Sequence, residues 1–206
     1  EHPFPAGLYD CYDTVIWVHG HADELGVDPG RIAVAGDSAG GNLAAVCALK
    51  DRDEGAGRIR FQALIYPTVN MGAFETDDFR WSIDAYDIRE HQELILPGLH
   101  AMKGGPDSLL VRMYLQGNAE PDHPYFAPLL ADLHGLPKTL IVTAEFDYLR
   151  LEDEAYARKL AHSGVDTVLV QYDGMDHAFI DKLGLYPQAE DCMKEIATGI
   201  RGLMAS

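Results

Sequence analysis

The chain has 206 residues, of which 33 are acidic and 16 basic, so its formal charge is −17 at pH 7. This charge excludes nucleic acid and anionic membranes as expected partners. The length and the 47% hydrophobic composition suit one globular domain. The cysteines match no metal-binding or redox spacing, and the sequence contains neither an export leader nor a membrane-spanning run. We therefore expect a protein of a reducing, cytoplasmic compartment.

The first third of the chain alternates between helical and extended patterns. Apolar residues at helical spacing predict an amphipathic helix over residues 8–25. The short, β-branched run of residues 31–36 predicts a central strand that is buried on both faces. An Ala- and Leu-rich helix is predicted over residues 41–50, and a second strand over residues 61–66.

Residues 68–127 are aromatic, acidic and rich in Pro and Gly, and we interpret them as an insertion that contributes to a cap and a substrate pocket. Helices are predicted near residues 87–94 and 107–115, the second starting just after Pro106. The large aromatic side chains of the insertion allow two interpretations. They line a pocket for the acyl or alcohol group of a substrate, or they pack the insertion onto the sheet. These residues are Phe74, Phe79, Trp81, Tyr86 and Tyr114.

Strands and helices continue to alternate to the end of the chain. A strand is predicted over residues 139–144, and a helix over 151–163 that Gly164 stops. The last strand covers residues 166–172, and residues 187–204 form a closing amphipathic helix. This order predicts an α/β fold, in which right-handed crossovers join parallel strands.

The first strand leads into Gly36-Asp37-Ser38-Ala39-Gly40, which fits the G-x-S-x-G nucleophile elbow. In such an elbow a serine occupies a strained turn between a strand and a helix. An Ala-rich helix follows the serine, so its amide dipoles point at any charge that forms there. The alternative is that the serine only caps the helix, and the strand–turn–helix context favours the nucleophile.

A serine nucleophile needs a base within hydrogen-bond reach and a third group that orients the base. The ends of parallel strands collect active-site residues. The strand at 139–144 leads to Asp147, and the strand at 166–172 leads to His177. We therefore predict Ser38 as nucleophile, His177 as base and Asp147 as acid, in the chain order of α/β-hydrolases.

Other acids and histidines are weaker candidates. Glu145 and Asp153 compete with Asp147, but Asp153 falls on the following helix, where it suits an N-terminal-turn carboxylate. His19 and His21, two positions apart on the first helix, cannot share a helical face, so they are a poor metal pair. We predict no metal site and no cofactor. The remaining histidines are predicted to lie at the surface or to bond locally: His2, His91, His100, His123, His134 and His162.

With these residues in place, the sequence resembles the hormone-sensitive lipase-like family of α/β-hydrolase esterases. The family's GDSAGGN elbow is intact at residues 36–42, which extends the motif through Gly41 and Asn42. Residues 1–6 resemble its E-H-x-F-P-A segment, residues 147–150 its D-P-L-R acid loop and residues 177–179 its H-G-F base loop. Tyr148 replaces the usual proline and Ala178 the usual glycine, and neither change removes a catalytic group.

The resemblance implies an α/β-hydrolase fold, with a mostly parallel sheet and helices on both faces. It implies a carboxylesterase that acts on short- to medium-chain esters through a Ser-His-Asp triad and an acyl-enzyme. The backbone amide of Ala39 would supply part of the oxyanion hole. Many relatives form homodimers through the closing helix and the last strand, so a homodimer is a further expectation.

The resemblance also implies an HGGG-type oxyanion loop, a cap segment and several strands ahead of the elbow, and the sequence contains none of these. The nearest match, residues 19–21, lies within the predicted first helix. We therefore expect a single, N-terminally truncated catalytic domain over residues 1–206. A fragment of a longer esterase is the favoured explanation, and a natural truncation that lacks the front of the fold is the alternative. We expect an upstream segment or a partner chain to cover the exposed edge of the nucleophile strand. Each lost oxyanion donor costs roughly 100- to 1,000-fold in turnover. We therefore expect these 206 residues alone to have severely reduced catalytic activity.

Three other functions remain open at the level of sequence. A serine peptidase could share the triad, although the elbow and the opening segment favour an esterase. A non-catalytic, ligand-binding relative would be expected to have lost its histidine, and His177 is present. The chain could also be an inactive fragment or an interaction domain that dimerises.

Overall fold

The computed structural model describes residues 2–203. Glu1 of the opening segment and Met204 of the predicted closing helix lie outside the described residues. Four strands form one parallel sheet whose order along the sheet is the order along the chain. They are β1 (Ile32–Asp37), β2 (Ile59–Ile65), β3 (Lys138–Phe146) and β4 (Thr167–Asp176).

Helices cover both faces of the sheet, as predicted for an α/β-hydrolase. The helices are α1 (Ala6–Gly20), α2 (Ala22–Leu25), α3 (Ser38–Asp53), α4 (Gln92–Ala101), α5 (Leu109–Leu115), α6 (Arg150–His162) and α7 (Pro187–Gly202). On one face, residues of α1, α3 and α6 share one apolar core with β2 and β3. On the other face, α7 packs its Ala189, Cys192 and Ile196 against a second core.

The prediction that the first strand is central and buried on both faces is wrong for the described part of the chain. Strand β1 pairs with β2 on one side only, so it forms an edge of the sheet in residues 2–203. Its Val34 is half-buried and its Ala35 is exposed. The apolar, β-branched run identified the strand correctly, but such a run carries no information on how many neighbours a strand has.

Two helix predictions need correction because local backbone turns interrupt them. The predicted helix over residues 8–25 is two helices, since the chain turns at His21 before α2 and stops at Gly26, whose φ is 67°. The helix predicted near residues 87–94 is displaced towards the C-terminus, and it overlaps α4 only at residues 92–94. His91 adopts a left-handed conformation with φ of 55°, and α4 begins only after it.

The remaining boundaries move by a few residues. Helix α5 begins at Leu109, because the Ser108 side chain accepts a hydrogen bond from the Val111 amide and caps it there. Helix α3 begins at Ser38 itself, and β4 continues to Asp176.

No helix among residues 2–203 is long and apolar enough to span a bilayer.

Three of the strands end next to predicted site residues on the C-terminal side of the sheet. All four strands are parallel, so their carboxyl ends point the same way. Strand β1 ends immediately before Ser38, β3 immediately before Asp147 and β4 immediately before His177. The fold therefore brings residues that are up to 139 positions apart along the chain to one side of the sheet.

Candidate active site

The turn between β1 and α3 has the backbone of a nucleophile elbow. Ser38 has φ of 50°, a left-handed conformation that a non-glycine residue rarely adopts. Such a residue costs roughly 1–3 kcal/mol, and it persists only where its surroundings hold it. A Cβ atom on Gly36 would overlap the carbonyl group of Gly40, and a Cβ on Gly41 would lie 2.8 Å from Cβ of Pro67. Gly36 and Gly41 are therefore required by close approach of neighbouring residues, whereas a Cβ on Gly40 would meet only Asp37 Oδ1, at 3.8 Å.

Substitution of Gly36 by alanine should disrupt the elbow. The new methyl group would meet the backbone of Gly40, which cannot move without shifting the start of α3. We expect a loss of roughly 1–3 kcal/mol in the free energy of unfolding, together with a lower kcat. Urea denaturation and ester hydrolysis measure the two effects. Gly20→Ala is the matched control, because a Cβ on Gly20 meets nothing within 4 Å. Equal stability of the two variants would contradict the close packing.

The three predicted site residues meet in one hydrogen-bonded line. Ser38 Oγ lies 2.9 Å from His177 Nε2, and His177 Nδ1 lies 2.6 Å from Asp147 Oδ2. The Asp147 side chain is fully buried, and its Oδ1 accepts a hydrogen bond from the Leu149 amide at 3.0 Å. A carboxylate at Nδ1 favours the tautomer that carries its proton there, which leaves Nε2 free to accept the serine proton.

Aromatic side chains within residues 68–127 support the loop that carries Asp147. The hydroxyl of Tyr86 donates to the carbonyl of Asp147 at 2.8 Å. The ring of Trp81 stacks on Tyr148 at 5.1 Å, and Phe79 is buried in the core that contains Trp81. Tyr114 lies apart from this group and packs edge-on against Phe4 at 5.9 Å. Packing is thus observed for four of the five aromatic residues named above.

The rival acids occupy other positions. The Glu145 carboxylate accepts a hydrogen bond from the Gly174 amide at 2.7 Å. It therefore holds the last residues of β4, just before His177. Asp153 lies in the first turn of α6, as predicted, but it is fully buried, with neither carboxyl oxygen hydrogen-bonded among the described residues. Burial and the charge of Glu152 raise the pKa of Asp153 well above its ordinary value, which favours the neutral acid.

Two buried polar residues were given no role of their own in the sequence analysis. The Asn42 amide donates to the carbonyl of Thr68 at 2.7 Å and to that of Phe126 at 3.1 Å. Glu152 Oε1 accepts the amides of Val69 and Asn70 at 2.8 and 3.0 Å. Asn42 stood in the elbow motif and could have been singled out. Glu152 carried no local signal, because its partners lie more than 80 residues away.

Glu152 should make stability depend on pH. Burial raises its pKa from 4.5 to about 8 in the folded protein. The folded state then binds more protons than the unfolded state between these values, so the free energy of unfolding falls as the pH rises from 4.5 to about 8. Glu152→Gln keeps an oxygen for the two amides and cannot titrate. Its urea midpoint should therefore fall less than that of the wild type between acidic and alkaline buffer. Equal pH dependence in both proteins would contradict this assignment.

The amide expected in the oxyanion hole lies in the first turn of a helix. Ala39 is the second residue of α3, where backbone N–H groups have no partner within the helix. Residues 19–21, the nearest match to an oxyanion loop, belong to the end of α1. His19 lies in the last turn of this helix, and the ring of His21 stacks on Trp17 at 4.5 Å. Residues 2–203 contain no group of three or more side chains that could hold a metal ion.

Comparison with known proteins fits this geometry. A family model for the alpha/beta hydrolase fold matches residues 1–181. The chain belongs to this α/β-hydrolase family. The carboxylesterase NlhH of Mycobacterium tuberculosis is 39% identical over 209 aligned residues, which cover 100% of this chain and 59% of that enzyme.

Solved structures agree with the assignment. An esterase of Pyrobaculum calidifontis superposes on this α/β-hydrolase with a TM-score of 0.81 at 37% identity, over 100% of this chain and 63% of that one. Brefeldin A esterase, described as a bacterial homologue of human hormone-sensitive lipase, gives a TM-score of 0.78 at 28% identity, over 98% of this chain and 55% of its own. The resemblance to hormone-sensitive lipase-like esterases is thereby confirmed. This α/β-hydrolase spans less than two thirds of the length of each of these relatives.

Proposed function

We propose that the protein is a serine carboxylesterase that hydrolyses short- to medium-chain esters. The observation that carries the proposal is the line of two hydrogen bonds, 2.9 and 2.6 Å long, that joins Ser38, His177 and Asp147. The esterase names of the relatives support the same reaction class. The same geometry supports the roles of nucleophile for Ser38, base for His177 and acid for Asp147.

The proposed reaction proceeds through an acyl-enzyme. Ser38 Oγ attacks the ester carbonyl carbon while His177 Nε2 takes its proton. The tetrahedral intermediate collapses as the imidazolium returns this proton to the departing alcohol oxygen, which leaves the acyl group on Ser38. A water molecule then attacks the acyl carbon while His177 Nε2 takes a proton from it. The second tetrahedral intermediate collapses as His177 returns this proton to Ser38 Oγ, which breaks the bond to the acyl group and releases the carboxylic acid. Asp147 remains ionised throughout and stabilises the imidazolium.

The proposed oxyanion hole begins with the amide of Ala39. This group lies at the N-terminus of α3, where the helix dipole favours negative charge. We propose that further amides come from a segment upstream of Glu1 or from a partner chain, covering the edge of β1. An apolar groove of about 480 Å³ along this edge supports the proposal. Hydrogen exchange in the full-length protein tests it at the β1 amides that point away from β2: their protection supports cover, and their rapid exchange contradicts it.

The substrate class can be tested with p-nitrophenyl esters of increasing acyl length. We expect the full-length protein to hydrolyse the acetate, butyrate and octanoate esters with a higher kcat/KM than the laurate. A peptide p-nitroanilide should be cleaved far more slowly. Preference for the peptide would favour the alternative of a serine peptidase. Absence of turnover on every substrate would favour a non-catalytic relative.

The insertion is proposed to contribute to the cap and to the substrate pocket. Its helices α4 and α5 leave several large apolar side chains exposed among the described residues. These are Leu94, Leu109, Leu110 and Met113. A cap that covers substrate would explain their exposure, because soluble surfaces rarely group such residues without a partner.

We also propose a homodimer through α7 and β4 and a cytoplasmic location. Exposed apolar side chains on these two elements support the interface: Val168, Leu169, Met193 and Ile200. The cytoplasmic location is supported by three free cysteines, since a reducing compartment keeps thiols free. Light scattering should give twice the mass of one full-length chain, and Leu169→Glu should give the mass of one. A wild-type monomer would contradict the dimer.

A further inference from the structure

Tyr66 is a fully buried aromatic residue close to the proposed base. It is the first residue after β2, and its amide donates to the carbonyl of Val142 at 2.6 Å. Its φ is 34°, a backbone conformation that is a genuine outlier for a bulky residue. The surrounding structure therefore fixes the direction in which this ring points.

The ring of Tyr66 lies against the imidazole of the proposed base. The two ring centroids are 4.8 Å apart with an angle of 58° between their planes. The same ring meets Phe179, two residues beyond His177, edge-on at 5.7 Å. Tyr66 thus contacts both the base and the short 3₁₀ helix that follows it.

This contact adds a restraint on the imidazole to the two hydrogen bonds of His177. The bonds at Nδ1 and Nε2 lie in the plane of the imidazole, so they hold the ring along its plane. They resist tilting and displacement out of the plane only weakly, because hydrogen-bond energy changes slowly with small angular deviations. An aromatic body beside the imidazole blocks this motion by van der Waals contact.

The segment that carries Tyr66 also holds the nucleophile. Pro67 packs so close to the elbow that a Cβ on Gly41 would lie 2.8 Å from its own Cβ. The amide of Thr68 donates to the carbonyl of Ser38 at 3.2 Å, and Asn42 donates to the carbonyl of Thr68 at 2.7 Å. Three consecutive residues after β2 therefore connect the elbow to the base.

We propose that Tyr66 is a positioning residue for the base, whose ring sets the placement of the His177 imidazole against Ser38 Oγ. The inference rests on the proposed esterase function, because it assigns His177 the role of base. The aromatic ring carries the effect. The hydroxyl is buried and forms no close hydrogen bond with a described side chain, and the backbone of Ile180 is a polar group near it, so its removal costs little.

The test uses three variants of the full-length protein. Tyr66→Phe keeps the ring, and its kcat should stay within about 3-fold of the wild type. Tyr66→Leu removes the ring, and its kcat should fall roughly 10- to 100-fold with little change in KM, since a 1 Å misplacement can cost this much. Tyr172→Leu is the matched control. Tyr172 is also a buried tyrosine against Phe179, at 5.1 Å, but it has no ring contact with His177. Its kcat should stay near that of the wild type.

A second measurement needs no substrate. The proton on His177 Nδ1, held by Asp147, gives a low-field resonance in ¹H NMR spectra. We expect this resonance to persist in Tyr66→Phe and Tyr172→Leu and to broaden or disappear in Tyr66→Leu. If no ester is turned over by the wild type, the esterase proposal fails, and the resonance still decides whether Tyr66 positions the imidazole.

Three outcomes would overturn the inference. The first is a Tyr66→Leu protein with wild-type kcat and an unchanged resonance. The second is a Tyr172→Leu protein with an equal loss, which would mean that general packing on this face of the sheet is responsible. The third is a large loss in Tyr66→Phe, which would assign the effect to the hydroxyl. This third outcome remains decisive even if Tyr66→Leu does not fold.

Discussion

Replacement of Ser38 by alanine should lower kcat for p-nitrophenyl butyrate by roughly 10⁴- to 10⁶-fold. The alanine side chain offers no oxygen to form the acyl-enzyme, and His177 then has no proton to accept. The loss should appear in kcat with little change in KM, because a methyl group in place of the hydroxymethyl group leaves room for the ester.

Two observations keep this result from being explained by misfolding. The melting temperature of Ser38→Ala should match that of the wild type or exceed it, because the change removes no packed side chain. Ser163→Ala is the control variant. Ser163 is the C-cap of α6, where its backbone N–H donates to carbonyl groups of the last turn. Its kcat should be unchanged. Activity retained by Ser38→Ala above about one hundredth of the wild type would place the nucleophile elsewhere.

Asp147→Asn should lower kcat by roughly 10⁴-fold. The Asp147 side chain is fully buried and lies 2.6 Å from His177 Nδ1. An asparagine amide can donate to Nδ1, which puts the imidazole proton on Nε2 and leaves no acceptor for the proton of Ser38. The amide also provides no negative charge to stabilise the imidazolium. The substitution is nearly isosteric, so the fold should persist.

Glu145→Gln provides the comparison for the acid. Glu145 lies two residues before Asp147, and its carboxylate accepts the Gly174 amide without a bond to His177. The glutamine oxygen can accept the same amide, so we expect kcat within about 10-fold of the wild type. A larger loss in Glu145→Gln than in Asp147→Asn would transfer the acid role to Glu145.

Local sequence patterns predicted the site because its residues follow strand ends. The elbow motif places Ser38 at the end of β1 by its own spacing, without any information from other parts of the chain. Asp147 and His177 follow apolar runs that were recognisable as strands. Parallel strands bring their carboxyl ends together, so three local assignments sufficed to predict that these residues meet.

Features that depend on contacts between distant segments were not predictable from one sequence. The position of β1 at the edge of the described sheet depends on strand order, which the run of residues 31–36 does not encode. The link from Glu152 to Val69 joins positions 83 apart, and the contact of Tyr66 with His177 joins two different strand ends. The left-handed turn at His91 is local, but histidine carries no strong signal for it.

Covalent labelling of the full-length protein tests the central claim most directly. The protein is incubated with a fluorophosphonate, which phosphonylates an activated serine, and its intact mass is measured before and after. We predict one adduct on the wild type and none on Ser38→Ala, with much slower labelling of Asp147→Asn. The intact mass also gives the length of the chain that carries the site. An unlabelled wild type, or an adduct that persists in Ser38→Ala, would contradict the proposal that Ser38 is an activated nucleophile.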